Sequence, residues 1–383
     1  MKQIILPISI SLIILAAGGC AKQEDTAAAK PACTIKVGHV GHDHHLALFV
    51  AADYAEQYQQ TSGVSLKKIE QGKRYELYDQ QKKIADVIVV KVGGGAKMPT
   101  ALAQDVIDIG LGGIAAVLAS ADSGAPVKLI SPLHCKGDMF VVKPDFPAEN
   151  WAEFIRLARE TQKPIRIGYK DPVAVAKVIF EQALVQEKIS FGGDTSADHL
   201  QVLMVNVKGG DKLNVALGGG LIDGYVGNNP FPAIAATQKT GKIISDLNDL
   251  PPGIFRNHPC CCIAANTNAF QEKSEAIENL LVLLLQANET INTDLDKAIA
   301  SAVQWTGTSE TVERLSIPTS GYSMETSTEW FGTMEQWIRT MNDMNLFQNK
   351  FKDRNLAEIP ALVYDFSLLE KANAKLAERK SQK

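Results

Sequence analysis

The sequence predicts an α/β fold of two similar lobes followed by a helical C-terminal extension. Two observations carry this. Gly94 to Gly113, GGAKMPTALAQDVIDIGLGG, returns as GGDKLNVALGGGLIDGYVGN from Gly209 to Asn228, at an offset of 115 (209 − 94). Gly94/Gly209, Gly95/Gly210, Lys97/Lys212, Ala101/Ala216, Leu102/Leu217, Ile107/Ile222, Asp108/Asp223 and Gly112/Gly227 match without a gap. Solenoid units repeat at roughly 20–50 residues, so so long a period implies two lobes instead. Chance matching of common residues is the bland alternative. The second observation is the order of patterns around each copy: short β-branched runs, polar or glycine loops, and apolar helices in alternation. Two similar lobes leave a cleft between them, and clefts bind ligands.

The elements follow in chain order. Lys2, the apolar run Ile4–Ala17 and Leu15-Ala-Ala-Gly-Gly-Cys20 form an export signal, too short for a membrane-spanning helix of roughly 20 residues. Small residues before Cys20 resemble the lipobox of bacterial lipoproteins, which implies acylation of Cys20 and a lipid-anchored protein on the periplasmic or other extracytoplasmic face of a bacterial envelope. Residues 21–32 are small, polar and unpatterned, as in a tether. Thr34–Val40 reads as a strand, Gly41–His45 as a polar loop and Leu46–Tyr58 as a helix. Strands are expected at 64–70 and 85–92, with a charged stretch at 71–83 between them. The first copy of the repeat gives a helix at 98–104, a strand at 106–110 and a helix at 114–121. A buried strand at 127–131 runs into an extended crossover, 132–142.

The second lobe opens with a helix at 151–161 and a strand at 164–169. Asp171-Pro172 is a helix start, Asp as N-cap and Pro at the first position. A strand at 201–207 leads to the second copy, and a strand at 259–265 returns to the first lobe. Ser274–Thr293 is a helix with a long apolar face, and the rest is helical with breaks at Gly307, Pro318, Gly321 and Pro360. The expected division is 33–133 with 232–300 as lobe one, 134–231 as lobe two, and 301–383 as an extension packed on lobe one.

A net charge of −4 gives no basic face for nucleic acid. The glycine turns match neither the dinucleotide fingerprint nor a phosphate-binding loop, since no G-K-[ST] follows Gly93–Gly95. Five cysteines remain beside Cys20, an odd number with no visible disulfide framework. Cys260, Cys261 and Cys262 could bind a metal such as iron, but in a regular strand they alternate faces, so core packing is the favoured expectation. Asp108 and Asp223 read as structural caps, and Trp305, Trp330 and Trp337 as packing residues.

Three segments resemble a known family. They are Ala101–Ala103 with Ile107–Gly110 and Gly124–Ile130, then Ile165–Pro172, then Leu221–Phe231 with Ala233. These are similar to the solute-binding proteins of ABC importers, in the branch of nitrate, taurine, aliphatic sulfonate and thiamine-pyrimidine binders, over about residues 33–300. The resemblance implies a periplasmic-binding-protein type II fold that closes over a small solute and delivers it to an inner-membrane permease, with no cofactor and no catalytic residues. Carried onto this chain, the cleft loops are 41–45, 112–115, 169–173 and 227–231. They supply His42, Asp43, His44, Gly112, Gly113, Asp171, Asn228 and Asn229, with His134 at the crossover, as ligand-binding residues. Their amides and imidazoles suit a neutral or cationic heterocycle at least as well as a simple anion.

Two other readings stand beside this one. His42, His44, His134 and Cys135 form a candidate set for a metal or metal complex, because imidazole and carboxylate in the 42–45 loop suit Zn, Cu, Ni or Fe. Adjacent His44 and His45 are not expected to face one site from a helix start, which limits that set. The other is an enzyme on the same fold, like menaquinone-pathway enzymes or pyrimidine synthases. His42, or His134 beside Cys135, would be its first catalytic candidates, and the lipobox argues against it.

Overall fold

The computed structural model describes residues 33–193 and 199–382. Cys20 and the expected signal and tether lie outside the described residues. Five strands open the chain: β1 (Cys33–His39), β2 (Val64–Glu70), β3 (Arg74–Asp79), β4 (Lys82–Lys91) and β5 (Ile109–Gly113). Next come β6 (Val127–Lys136), β7 (Asp138–Val142), β8 (Ile165–Tyr169), β9 (Phe191–Gly192) and β10 (Val202–Asn206). The last four are β11 (Gly224–Asn228), β12 (Lys242–Asp246), β13 (Pro259–Asn266) and β14 (Ser320–Tyr322).

These strands make two sheets. The first has the order β14-β6-β13-β5-β1-β4-β3-β2 and the second β12-β7-β11-β8-β10-β9. The centre of the first is parallel: β1 pairs with both β4 and β5. Parallel strands need cover on both faces. Ile35, Val37, Val87 and Ile109 are accordingly buried, packed with the apolar sides of the helices Leu46–Ser62 and Ser274–Thr293. In the second sheet β8 pairs in parallel with β10 and β11, while β7 runs antiparallel to β11 and β12.

The repeat is a repeat of backbone. Gly94 lies at φ 149°, ψ 153° and Gly209 at φ 148°, ψ 143°, angles that a side chain would strain. Each glycine opens a 3₁₀ turn, Gly95–Lys97 or Gly210–Lys212. The helices Met98–Ala103 and Leu213–Gly218 follow, then β5 and β11. An aspartate ties each copy down. Asp108 accepts the Lys36 N–H at 2.7 Å and the Lys273 ammonium at 2.8 Å. Asp223 accepts the Arg166 N–H at 3.0 Å, the Arg166 guanidinium at 2.7 and 2.9 Å, and Lys143 at 3.0 Å. The expected structural role of both aspartates is met in this way, by binding a neighbouring strand rather than a turn.

Some expectations need correcting. The charged stretch after Glu70 contains β3, which buries Tyr75 and Leu77 and leaves Arg74 exposed and Glu76 half-buried on the other face. The strand expected at 106–110 is β5, three residues later, and it contains Gly112 and Gly113. Asp171 does not cap a helix. Its carboxylate accepts the Val173 N–H at 3.1 Å in a tight turn, and the helix starts at Val175. β12 lies in the second sheet, beyond the boundary expected at 231. The extension is not purely helical, since β14 pairs with the outer edge of β6. The three tryptophans do pack: Trp305 stacks on Phe49 at 4.6 Å, and Trp330 and Trp337 are buried.

The chain crosses between the sheets at Gly137 and again at 247–258. Gly137 has φ +88°, and a Cβ there would meet His44 Nε2 at 2.6 Å. Conformation and space therefore both require glycine at that crossing.

The Asp223 tie gives a prediction. Burial alone would raise this carboxyl, but the Arg166 guanidinium, the Arg166 N–H and Lys143 outweigh it and hold it at about 2, from an ordinary 3.8. A depressed pKa contributes stability above 3.8 that disappears as pH falls toward 2, worth about 2 kcal/mol. Asp223→Asn should therefore lower unfolding stability by about that amount at neutral pH. In urea titrations the gap between wild type and variant should shrink between pH 4 and pH 2. A gap that stays constant over that range would contradict the tie.

Candidate functional site

A cavity of about 270 Å³ lies where the two sheets meet. The first sheet's side contributes Gly93, Gly94, Gly95, Lys97, Gly113 and Ala116, with His42, His44, His45, Cys260 and Cys261. The second contributes Asp138, Lys170, Asp171, Val173–Val175, Asn206, Lys208, Gly209 and Gly210. The repeat thus meets itself here. Its two opening turns, 93–97 and 209–210, border one cavity. Of the far ends of the copies, expected at the cleft, only Gly113 borders the cavity.

The histidine loop enters from the first sheet. After β1 the backbone makes a 3₁₀ turn, Asp43–His45, before the long helix. His42, His44 and His45 all line the cavity, which corrects the expectation that His44 and His45 diverge. The ring of His42 lies 5.3 Å from that of His44 and 4.7 Å from that of His45. The expectation assumed α-helical geometry. Instead the turn is wound to three residues per turn and the Val40 N–H binds His45 Nδ1 at 3.0 Å, drawing that ring in. Burial, reinforced by neighbouring cationic or imidazole groups, lowers the pKa of all three, so they are neutral at neutral pH. Asp43 points elsewhere. Its carboxylate accepts the Ser316 hydroxyl, and its carbonyl accepts the Tyr322 hydroxyl at 3.0 Å. Burial and then Glu313 push its carboxyl well up. Asp43 therefore joins the extension to β1's loop and does not serve the cavity.

Asn228 and Asn229 are also occupied. Asn228 Oδ1 accepts from the Lys170 ammonium and its Nδ2 donates to the Asn229 carbonyl at 2.7 Å. Asn229 Nδ2 donates to Thr319 Oγ1 at 2.8 Å, while its Oδ1 accepts the Ala233 N–H at 3.1 Å. Neither amide borders the cavity. Gly112 lies within β5, its carbonyl facing Cys262 Sγ at 3.7 Å. Asp171 does border the cavity. Lys97, Lys170 and Lys208 border it too and were missed by the sequence reading. Lys97 follows the first glycine turn and Lys208 precedes the second, so the repeat could have drawn attention to both.

The cysteines depart most from expectation. Pairing of β13 with β6 slips between Pro259 and Cys261 and again between Cys261 and Cys262. Cys260 is the extra residue of a bulge, and two adjacent residues at a bulge lose strict alternation. Cys260 and Cys261 consequently both face His44, at 3.4 and 3.9 Å from its Nδ1. Only Cys262 is core in the ordinary sense. His134 lies behind His44, with ring centroids 4.1 Å apart. Cys135 turns away and its thiol donates to the Gly321 carbonyl at 3.4 Å. The expected set of His42, His44, His134 and Cys135 is replaced by His44, His134, Cys260 and Cys261, whose ligand atoms lie within 4.8 Å of one another. Cys33, Cys135, Cys260, Cys261 and Cys262 are all free thiols.

The chain can be compared with known proteins. Residues 28–307 match the NMT1-like family. An uncharacterized protein of Methanocaldococcus jannaschii, MJ1180, is 36% identical over 138 residues, which is 35% of this chain and 91% of that protein. Among solved structures, the ligand-binding component of an ABC-type import system from Staphylococcus aureus with zinc bound aligns at TM-score 0.68 and 15% identity, covering 89% of this chain and 99% of its own. The periplasmic nitrate-binding protein NrtA from Synechocystis PCC 6803 aligns at TM-score 0.69 and 11% identity, covering 91% of each chain. The alkanesulfonate-binding protein SsuA from Xanthomonas axonopodis pv. citri, bound to MOPS, aligns at 0.61 and 12% identity, covering 84% of this chain and 96% of its own. At such identities the likeness is one of fold: the two-lobe α/β fold of periplasmic binding proteins, here with a helical C-terminal region.

The thiols differ in chemistry. Burial raises all three, yet the sulfur of Cys260 and the imidazoles of His134 and His44 beside it carry Cys261 well below the ordinary thiol value, while Cys260 and Cys262 stay well above it. The thiolate is the reactive form. Brief treatment of the native protein with iodoacetamide at neutral pH should therefore label Cys261 before Cys260 and Cys262. Peptide mass spectrometry reads the order, and equal labelling would contradict the asymmetry.

Proposed function

The chain belongs to the NMT1-like family, and from that premise we propose that it is the solute-binding component of an ABC import system, closing its lobes over a small organic anion. One observation carries the reading: a single cavity is bordered by the matched glycine turns of both lobes. A solute touching both favours the closed arrangement by the difference in its contacts between open and closed states. The two crossings, at Gly137 and 247–258, serve as the hinge.

Three ammonium groups give an anion its partners: Lys97 borders the cavity from the first sheet's side and Lys170 and Lys208 from the second, beside Asp138 and Asp171, and the three imidazoles add no charge. The cavity is a little smaller than the roughly 300–1,000 Å³ of drug-sized sites, which suits a small solute. Of the groups that would suit a neutral or cationic heterocycle, the imidazoles and Asp171 border the cavity, while Asp43, Asn228 and Asn229 do not. No described helix is long and apolar enough to cross a membrane. In this reading Cys20 carries the lipid anchor, and the partner is a permease in the membrane beneath. The bound solute leaves chemically unchanged, so the protein is a receptor and not an enzyme.

Thermal-shift screening of small carboxylates, sulfonates and inorganic oxyanions should find a stabilising ligand. At a hundred times its Kd it adds about 2.7 kcal/mol. Val173→Trp, which fills the cavity from an irregular turn, should abolish that shift while leaving the unliganded melting temperature within a few degrees. Mass spectrometry of the ligand before and after incubation decides between receptor and enzyme. Turnover would reject the receptor, and stabilisation by neutral or cationic solutes alone would reject the anion.

A further inference from the structure

The geometry points to a zinc-class metal site at the cavity floor, formed by His44, His134, Cys260 and Cys261. This goes beyond the solute reading and does not rest on it. Two nitrogens and two sulfurs suit tetrahedral zinc. All four residues are at least 96% buried, and their ligand atoms lie within 4.8 Å of one another. Ligands on one tetrahedral zinc are about 3.3–3.8 Å apart, given bonds of about 2.0–2.3 Å, so only a short contraction closes the set.

The rings are arranged for ligation. His44 Nε2 lies 3.2 Å from the Gly137 carbonyl, and a carbonyl can only accept, so the proton is on Nε2. Its Nδ1 lone pair therefore faces the two sulfurs. His134 Nδ1 lies 3.3 Å from the Cys135 carbonyl and carries its proton for the same reason. Its Nε2 is buried and has no hydrogen-bond partner. A buried polar atom without a partner is costly, and a metal would satisfy it. Backbone carbonyls that fix the tautomer of a histidine are the usual outer support of a metal ligand. Cys260 also donates to Asp138 Oδ2 at 3.1 Å, which gives its thiol proton a route out. On binding, both sulfurs ligate as thiolates, Cys260 releasing its proton to solvent, with no change in oxidation state. His44, Cys260 and Cys261 border the cavity, so the ion has a way in.

Titrating the metal-stripped full chain with Co²⁺ tests this. One equivalent should produce the near-ultraviolet sulfur-to-cobalt band of two thiolates with visible bands of tetrahedral cobalt, and Zn²⁺ should bleach both. Cys260→Ser and Cys261→Ser should each cut the sulfur band by about half, with His44→Ala and His134→Ala weakening binding. A separate measurement needs no variant. One equivalent of Zn²⁺ should slow alkylation of Cys260 and Cys261 about tenfold while leaving Cys135 unaffected. Absence of the sulfur band at one equivalent, or unchanged alkylation, overturns the site. Loss of binding in His258→Ala with retention in His44→Ala would overturn it as well, moving the ion to Asp138, His258 and Cys260.

Discussion

Each lobe hangs on an aspartate that binds the neighbouring strand. Asp108 holds the Lys36 N–H and Asp223 the Arg166 N–H, each beside a cation. A carboxylate held by a backbone amide and a cation fixes position and charge together. Asp108 immediately precedes β5, so the tie sets the register of β5 on β1. Five residues on, at roughly 3.3 Å per residue, that strand ends at Gly113 on the cavity wall. The same tie in the second lobe anchors β11 and the turn before it. The two glycine turns meet because both copies are pinned alike.

Burial sets the chemistry inside. The imidazoles are neutral because their surroundings are dry and carry other imidazoles and lysine. The Gly137 carbonyl receives the Asn229 N–H at 3.0 Å and faces His44 Nε2 at 3.2 Å. It therefore joins the histidine loop of one lobe to β11's end in the other at the crossing itself. His44 therefore sits against the crossing between the sheets.

Much of the architecture was legible from local pattern. The repeat, the histidine loop, β1, β2 and the long helix Ser274–Thr293 follow from periodicity and glycine placement. The site was legible only in part, for identifiable reasons. A repeat locates equivalent segments without saying which end faces the cleft. Asn228 and Asn229 look available until Lys170, Thr319 and Ala233 claim them, and Thr319 lies 90 residues away from Asn229. Asp43 is claimed by Ser316 in the same way. The pairing of Cys260 with Cys261 depends on a bulge, and a bulge is a relation between two strands that one strand's residues do not announce.

The three residues of β14 have a use beyond completing a ladder. They cover Lys136, Cys135 and His134 on β6, which would otherwise end the first sheet. Without them a stretch of β6 would present bare N–H and C=O groups to any passing chain, the usual template for edge-to-edge association. The C-terminal segment thus guards against self-assembly as well as adding helices.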